Sequence, residues 1–252
     1  MRIGSYLGRH VRFVRSYLGR SPWRLVSTHV LNRMRYSHVA HPLKVIWASP
    51  FDISRRLVVP RQLANRWRYG LVHDGDWDRT SVKDAQDTTK VRSMRQRFEE
   101  GRPWEETDLF RDRYARMLAA GVPVRGQTTL ADLARTYERI YGSLFDDIAT
   151  RGIVGPTVSD PASEHLQVHI GRSGELLGTS DGNHRLGMAL VLRLDKVPLR
   201  VATRHEAWQR IRVSFARAED VDDRHLEHPD LDDLLALRLK RPERHSGSTG
   251  EP

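Results

Sequence analysis

Cysteine is absent from the 252 residues. That excludes disulfides, thiolate metal sites and cysteine nucleophiles, and it suits a reducing compartment. No window approaches the ~18 consecutive apolar residues that a membrane-spanning helix needs. The cationic N-terminus is not followed by an apolar stretch with a small-residue cleavage site, so a secretory leader is not expected and a cytoplasmic protein is. Acidic residues are missing from the start of the chain: Asp52 is the first, and nine of the 42 Lys and Arg residues precede it, from Arg2 to Lys44. Beyond Asp52, 33 cations face all 32 acids, so the net charge of +10 belongs to an N-terminal arm and the remaining body is near neutral. With 38% hydrophobic and 29% charged residues, that body is expected to be globular.

The pentad "SYLGR" occurs at 5–9 and again at 16–20. A spacing of eleven is three helical turns, which sets Tyr6 above Tyr17 and Leu7 above Leu18. Residues 1–42 are therefore expected to form a basic amphipathic helical arm. It either docks on the body with its arginines in water or meets an anionic partner, nucleic acid or membrane surface, through residues 1–36. "LKVIWA" (43–48) predicts a strand, and Pro50 and Asp52 a turn. Residues 90–119 predict a charged helix with Pro103 at a start and Thr107 as a cap. "TTLADLARTYERIYGSLFDDIATRG" (128–152) predicts the strongest helix, capped by Thr128/Thr129, stopped by Gly152, with Leu130, Leu133, Tyr137, Ile140, Tyr141, Leu144 and Ile148 on one face. Leu166–Ile170, a "GRSG" turn and "ELLGT" predict a hairpin. A helix over 186–194, a strand over 197–204, a helix within 216–240 and a disordered polar tail over 241–252 complete the expectation.

Two stretches invite functional readings. In "HDGDWDRTSVKDA", Asp74, Asp76 and Asp78 imitate the opening of a calcium loop, but position six is Arg79 instead of Gly and position twelve is Ala85 instead of Glu. A structural turn or cleft loop is expected there, and no metal. The second is "SDGNHR" (180–185), between a strand and a helix. Helix N-termini leave backbone N–H groups unpaired and attract anions. Gly182 lets a phosphate approach the backbone, Asn183 and His184 can donate hydrogen bonds, and Arg185 can clamp phosphate oxygens. Asp181 fits if it caps the helix or holds a metal that bridges to phosphate. The plain alternative is a Ser180 or Asp181 N-cap with His184 packed.

"DGNHRLGMALVLRLDKVPLRV" resembles the central motif of the ParB/sulfiredoxin superfamily: a strand, a G-x-H/R-R turn, a helix of small and apolar residues, a short V-P link and an edge strand. The helix and hairpin upstream match the family's entry, so the resemblance covers about residues 128–204. It implies an α/β (α+β) domain, a small mixed sheet with flanking helices, occupying 43–215. It also implies a bound nucleotide triphosphate, CTP or ATP, with Mg²⁺ as a companion. Members bind CTP to form DNA clamps, use ATP to repair peroxiredoxin, or phosphorylate free serine. Sulfiredoxin chemistry needs a cysteine where Asn183 stands, which excludes it. The second phosphate motif of partition proteins is missing, and the short stretch after Arg204 leaves no room for their helix-turn-helix domain. The turn is closest to the "DGHHR" form of the serine-kinase-like branch. By that resemblance Asp181 and His184 are the catalytic pair, and Gly182, Asn183, His184, Arg185 and Arg204 bind the cofactor. Glu138 is a candidate for a further carboxylate.

"TRHEAWQRIR" (203–212) leaves two readings open. Arg204, His205, Trp208, Gln209 and Arg212 can grip a phosphate or stack on a base. Alternatively the segment is a helix covering the sheet with Trp208 and Ile211 inward. For the whole chain the expectation is a nucleotide-binding domain with phosphotransferase or hydrolase chemistry. The alternatives are a non-catalytic nucleic-acid module with a basic arm and a peripheral membrane protein. Oligomeric state is not legible.

Overall fold

The computed structural model describes residues 22–58, 70–79, 82–155 and 166–239. The repeated pentad, the 59–69 segment and the polar tail lie outside them. The segment that begins at the V-P link makes β7 (Val197–His205), the longest strand among the described residues, buried on both faces apart from Arg200. A strand buried on both faces belongs in the middle of a covered sheet. Along one edge β7 carries β5 (Leu166–Ile170) in parallel. Along the other it carries β1 (Val45–Ala48) antiparallel and, further on, β3 (Leu71–His73) in parallel. The sheet continues from β5 through β6 (Leu176–Gly178), β2 (Arg55–Leu57) and β4 (Val82–Asp84), giving seven strands of mixed direction in a mixed α+β fold. The expected hairpin is present: Gly171 N–H donates to the Glu175 carbonyl across the turn.

Helices cover the sheet. The first, α1 (Pro22–Arg35), precedes β1. The second, α2 (Thr89–Phe98), is capped by Thr88, whose hydroxyl accepts from Val91 N–H. The expected continuous helix over 90–119 is broken at Gly101–Pro103, because proline cannot supply the N–H that a helix interior needs. The chain resumes as a 3₁₀ turn, Trp104–Glu106, then a π-helical stretch, Leu109–Tyr114, and α3 (Ala115–Ala119). Thr107 caps the C-terminal end of the 3₁₀ turn instead of starting a helix: its backbone N–H and its hydroxyl both donate back to the Trp104 carbonyl. The strong helix over 128–152 begins at its Thr129 cap and ends at Gly152 as expected, with Leu133, Tyr137, Tyr141 and Ile148 buried. A second π stretch, Glu138–Gly142, divides it into α4 (Leu130–Tyr137) and α5 (Ser143–Arg151).

After the turn at 179–182 comes α6 (Asn183–Val191), three residues earlier than periodicity suggests, because the polar residues of the turn form its first turn. Gly187 of α6 lies against α2; a Cβ there would stand 2.7 Å from Met94 Cβ and 3.2 Å from Val91 Cα, so the two helices meet at backbone distance. Beyond β7, α7 (Glu206–Ala216) packs with Trp208 and Phe215 inward. The helix expected over 216–240 is instead three short pieces: α8 (Asp223–Leu226), a 3₁₀ turn Pro229–Leu234, and α9 (Leu235–Leu239). Asp222 and His228 stop and restart the chain by accepting from the N–H groups of Arg224 and Asp230.

Candidate functional site: the turn before α6

β6 delivers the chain to the turn at Thr179, whose hydroxyl accepts from Asp181 N–H at 3.1 Å. Asn183, buried, donates from its amide to the Ser180 carbonyl at 3.2 Å. Its amide is therefore used in holding the turn's shape. Gly182 occupies the N-cap position with φ +80°, a left-handed conformation that glycine adopts without penalty. No side chain caps α6, so neither Ser180 nor Asp181 plays the part that a plain helix start would give it. The N-terminus of this nine-residue helix keeps its partial positive charge and its forward-pointing N–H groups. Asp181 is exposed at its mouth.

His184 points back into the protein. Its ring lies 4.5 Å from that of Tyr141 and 6.1 Å from that of Tyr137. Burial, reinforced by Lys90, Arg125 and Arg185, pushes the imidazole down to about 3. It is therefore neutral at physiological pH, and its Nε2 is buried without a hydrogen-bond partner among the described residues. Lys90 belongs to the first turn of α2, so a second helix start contributes to this region. Arg125 has φ +51° within the tight turn closed by Val124 and Gln127. It donates to the Tyr141 hydroxyl at 2.6 Å and stands 5.5 Å from the ring centres of Tyr137 and Tyr141. Tyr137 and Tyr114 share a short hydroxyl–hydroxyl bond. Tyr114 and Tyr141 come from the two π stretches, which insert a residue and re-aim the side chains that follow; such distortions recur at functional sites.

Asp181 to Arg185 adjoin one another in the chain; what the fold adds is Arg125 and a tyrosine cluster against the His184 ring, with Lys90 on the neighbouring helix α2. Sequence reasoning missed these last groups. Tyr137 and Tyr141 were legible as a buried helix face, but nothing in the sequence linked them to the turn. Lys90 and Arg125 stand 95 and 60 positions before Arg185 and lack any motif of their own.

Arg204 is not part of the site. It is 1% exposed, and both arms of its guanidinium are taken by the Asp230 carboxylate, with Nε 2.9 Å from Oδ2. Asp230 also accepts from Trp208 Nε1 at 3.0 Å and faces Arg212 and Lys44. His205, Trp208, Gln209 and Arg212 are buried as well, so 203–212 covers the sheet and offers no phosphate or base a surface. Glu138 is likewise engaged elsewhere: Arg97 and Trp104 Nε1 hold its carboxylate at 3.0 and 2.7 Å. The calcium-like loop is a structural turn. Asp78 accepts from Arg172 Nε at 2.8 Å and from its backbone N–H at 3.0 Å, and Asp76 pairs with the same guanidinium. No group of three or more metal-ligating side chains is present among the described residues. A surface hollow of about 440 Å³ is lined by Arg135, Glu138, Arg139, Gly142, Ser143 and Asp146, apart from the 179–185 turn.

Fold and site define the class: a mixed α+β domain with a glycine turn, an uncapped helix start and a histidine packed on a tyrosine cluster behind it. Comparison of the chain with protein-family models, curated proteins and solved structures finds no match in any of the three.

Proposed function

We propose that the turn at 179–185 binds the phosphates of a nucleotide triphosphate, CTP or ATP, in the manner that the resemblance to the ParB/sulfiredoxin superfamily implies. The observation that carries this reading is the uncapped start of α6 behind the left-handed Gly182, with Arg185 in its first turn and Arg125 held on the Tyr141 hydroxyl beside the His184 ring. A polyphosphate suits these features together: it accepts from helix N–H groups and is attracted by the cations of the neighbourhood. Gly182 supports it by leaving the backbone open. Mg²⁺ would be held largely by phosphate oxygens, with Asp181 as the protein carboxylate at the mouth of the turn.

Binding comes before chemistry in this reading. In the free protein His184 is too weak a base to move protons near neutrality, because burial first, and the surrounding cations second, disfavour its charged form. An anion beside it would raise its basicity, so phosphotransfer or hydrolysis by Asp181 and His184 would depend on the bound nucleotide. The test is a thermal-shift and calorimetric series with CTP, ATP, GTP and ADP, with and without Mg²⁺. Ligand at a hundred times its Kd adds about 2.7 kcal/mol of stability, or roughly 5–11 °C in Tm for a domain of this size. Lys90→Ala and Arg185→Ala should each weaken the response at least tenfold. Absence of any shift at millimolar nucleotide would overturn the reading.

A further inference from the structure

Helix α1 is amphipathic in an inverted sense: its polar side faces the protein and its apolar side faces out. Asn32, 3% exposed, donates from Nδ2 to the Gly70 carbonyl at 2.9 Å and accepts from Val72 N–H at 3.1 Å, which fixes α1 to the entry of β3. One turn on, the Tyr36 hydroxyl donates to Glu206. Successive helical residues turn by about 100°, so the side opposite Asn32 and Tyr36 carries Val26, Val30 and Met34 in line, with Leu31 beside them. All four are exposed, Met34 by 79% and the others by about half. Exposed Arg33 and Arg35 flank this strip, one on each side. No acidic residue occurs anywhere in the first 51 residues, and eight arginines fall within the first 35.

We propose that the outer face of α1 lies on an anionic membrane surface, with Val26, Val30, Leu31 and Met34 entering the headgroup–acyl boundary and Arg33 and Arg35 meeting lipid phosphates. An apolar strip bordered by arginines is the pattern of a helix lying in the interface plane. Arginine can bury its stem while its charge stays at the headgroups. Charge complementarity selects anionic lipid over a neutral one. The four aliphatic side chains favour lipid over nucleic acid, because they offer no hydrogen bond to a phosphate and no ring to a base. Glu206, at the foot of α1, is engaged by Tyr36 and Arg210, and the exposed Asp74 lies on the same Tyr36 side, opposite the apolar strip.

The experiment is co-sedimentation of the full chain with vesicles of phosphatidylglycerol and phosphatidylcholine, and of phosphatidylcholine alone, across a salt series. Partitioning onto the anionic vesicles, at least tenfold above the neutral ones and weakening with salt, is expected. Val30→Glu with Met34→Glu should lower it at least tenfold with no change in Tm, since both positions are exposed. Arg33→Gln with Arg35→Gln should lower it about fivefold for each arginine removed. Three results would overturn the proposal. One is no preference for anionic vesicles. Another is duplex DNA binding that survives the two glutamates while vesicle binding is absent. The third is a loss of Tm or of self-association in the glutamate variant without vesicle binding by the wild type, which would make the face a protein–protein contact.

Discussion

Asp230→Asn removes the one carboxylate that Arg204, Arg212 and Lys44 share among the described residues, while leaving its shape nearly unchanged. Asp230 is wholly buried, and so are both arginines. Burial pushes its carboxyl up, but Arg204, Arg212 and Lys44 outweigh that and hold it well below the usual carboxylate range. The substituted amide turns N–H donors towards guanidinium donors and leaves three cations with Asp233, which is partly exposed and reaches Lys44 and Arg212. Removing one partner of a buried ion pair typically costs about 3–5 kcal/mol. For a domain of this size that is a fall of roughly 6–20 °C in Tm. Thermal unfolding followed by circular dichroism at pH 7 measures it. Asp76→Asn serves as the control, since Asp76 is largely exposed and its bridge to Arg172 is worth about 1 kcal/mol or less. A shift below 2 °C for Asp230→Asn would refute the claim that this cluster fastens the 229–234 turn to the sheet. The pH dependence has a definite sign. A carboxylate depressed by folding contributes its stability above its unfolded value, near 4, and loses it as pH falls through the lower folded value. The Asp230 contribution should therefore be intact at pH 5 and decline below about pH 4.

Two further outcomes concern the site. Gly182→Ala places a Cβ in the left-handed region and should lower stability by about 1–2 kcal/mol, read as a drop in the urea midpoint, and weaken the nucleotide response; an unchanged midpoint would mean that the turn relaxes freely. His184, pushed down to about 3, and His169, pushed down by burial to about 4, bind protons more readily when unfolded. Stability should therefore rise with pH between those values and about 6.5, by up to about 1.4 kcal/mol per pH unit for each ring. Urea unfolding at pH 5.0 and 7.5 reads the sum, to which His228 and His29, also held low chiefly by burial, add in the same direction. NMR titration of the His184 ring resonances isolates its part: no protonation above pH 4 is expected in the free chain, and a midpoint near 6 would refute the packing described.

Much of the fold was legible because it rests on local rules. Leu166, Val168 and Ile170 marked β5 by alternation and the GRSG turn marked the return of β6, although His169, expected on a polar face, is buried because β5 lies inside the covered sheet; Thr129 and Gly152 marked the ends of the long helix. The helix break at Gly101–Pro103 carried a signal that the charged periodicity around it concealed. The two π stretches had none, since inserting one residue into a helical turn is settled by what the flanking side chains pack against. The C-terminal stretch failed for a similar reason. Its short pieces are held by His228, which bonds to the Gly174 carbonyl, and by Asp230, which bonds to Arg204 and Arg212. Neither partner is near in sequence.

By itself the sequence determined the strand–turn–helix character of 176–191, because glycine at a tight junction and an apolar run behind it depend on neighbours a few residues away. It also set the asymmetry of charge, which is a sum and needs no geometry. Tertiary structure decided which cations stand near the turn. Arg204, adjacent in motif, is drawn inside by a carboxylate 26 residues later, while Lys90 and Arg125, remote in sequence, arrive beside His184 through the packing of α2 and the tyrosine cluster. A guanidinium commits to the partner that replaces its water, and that partner is fixed only when the chain has folded.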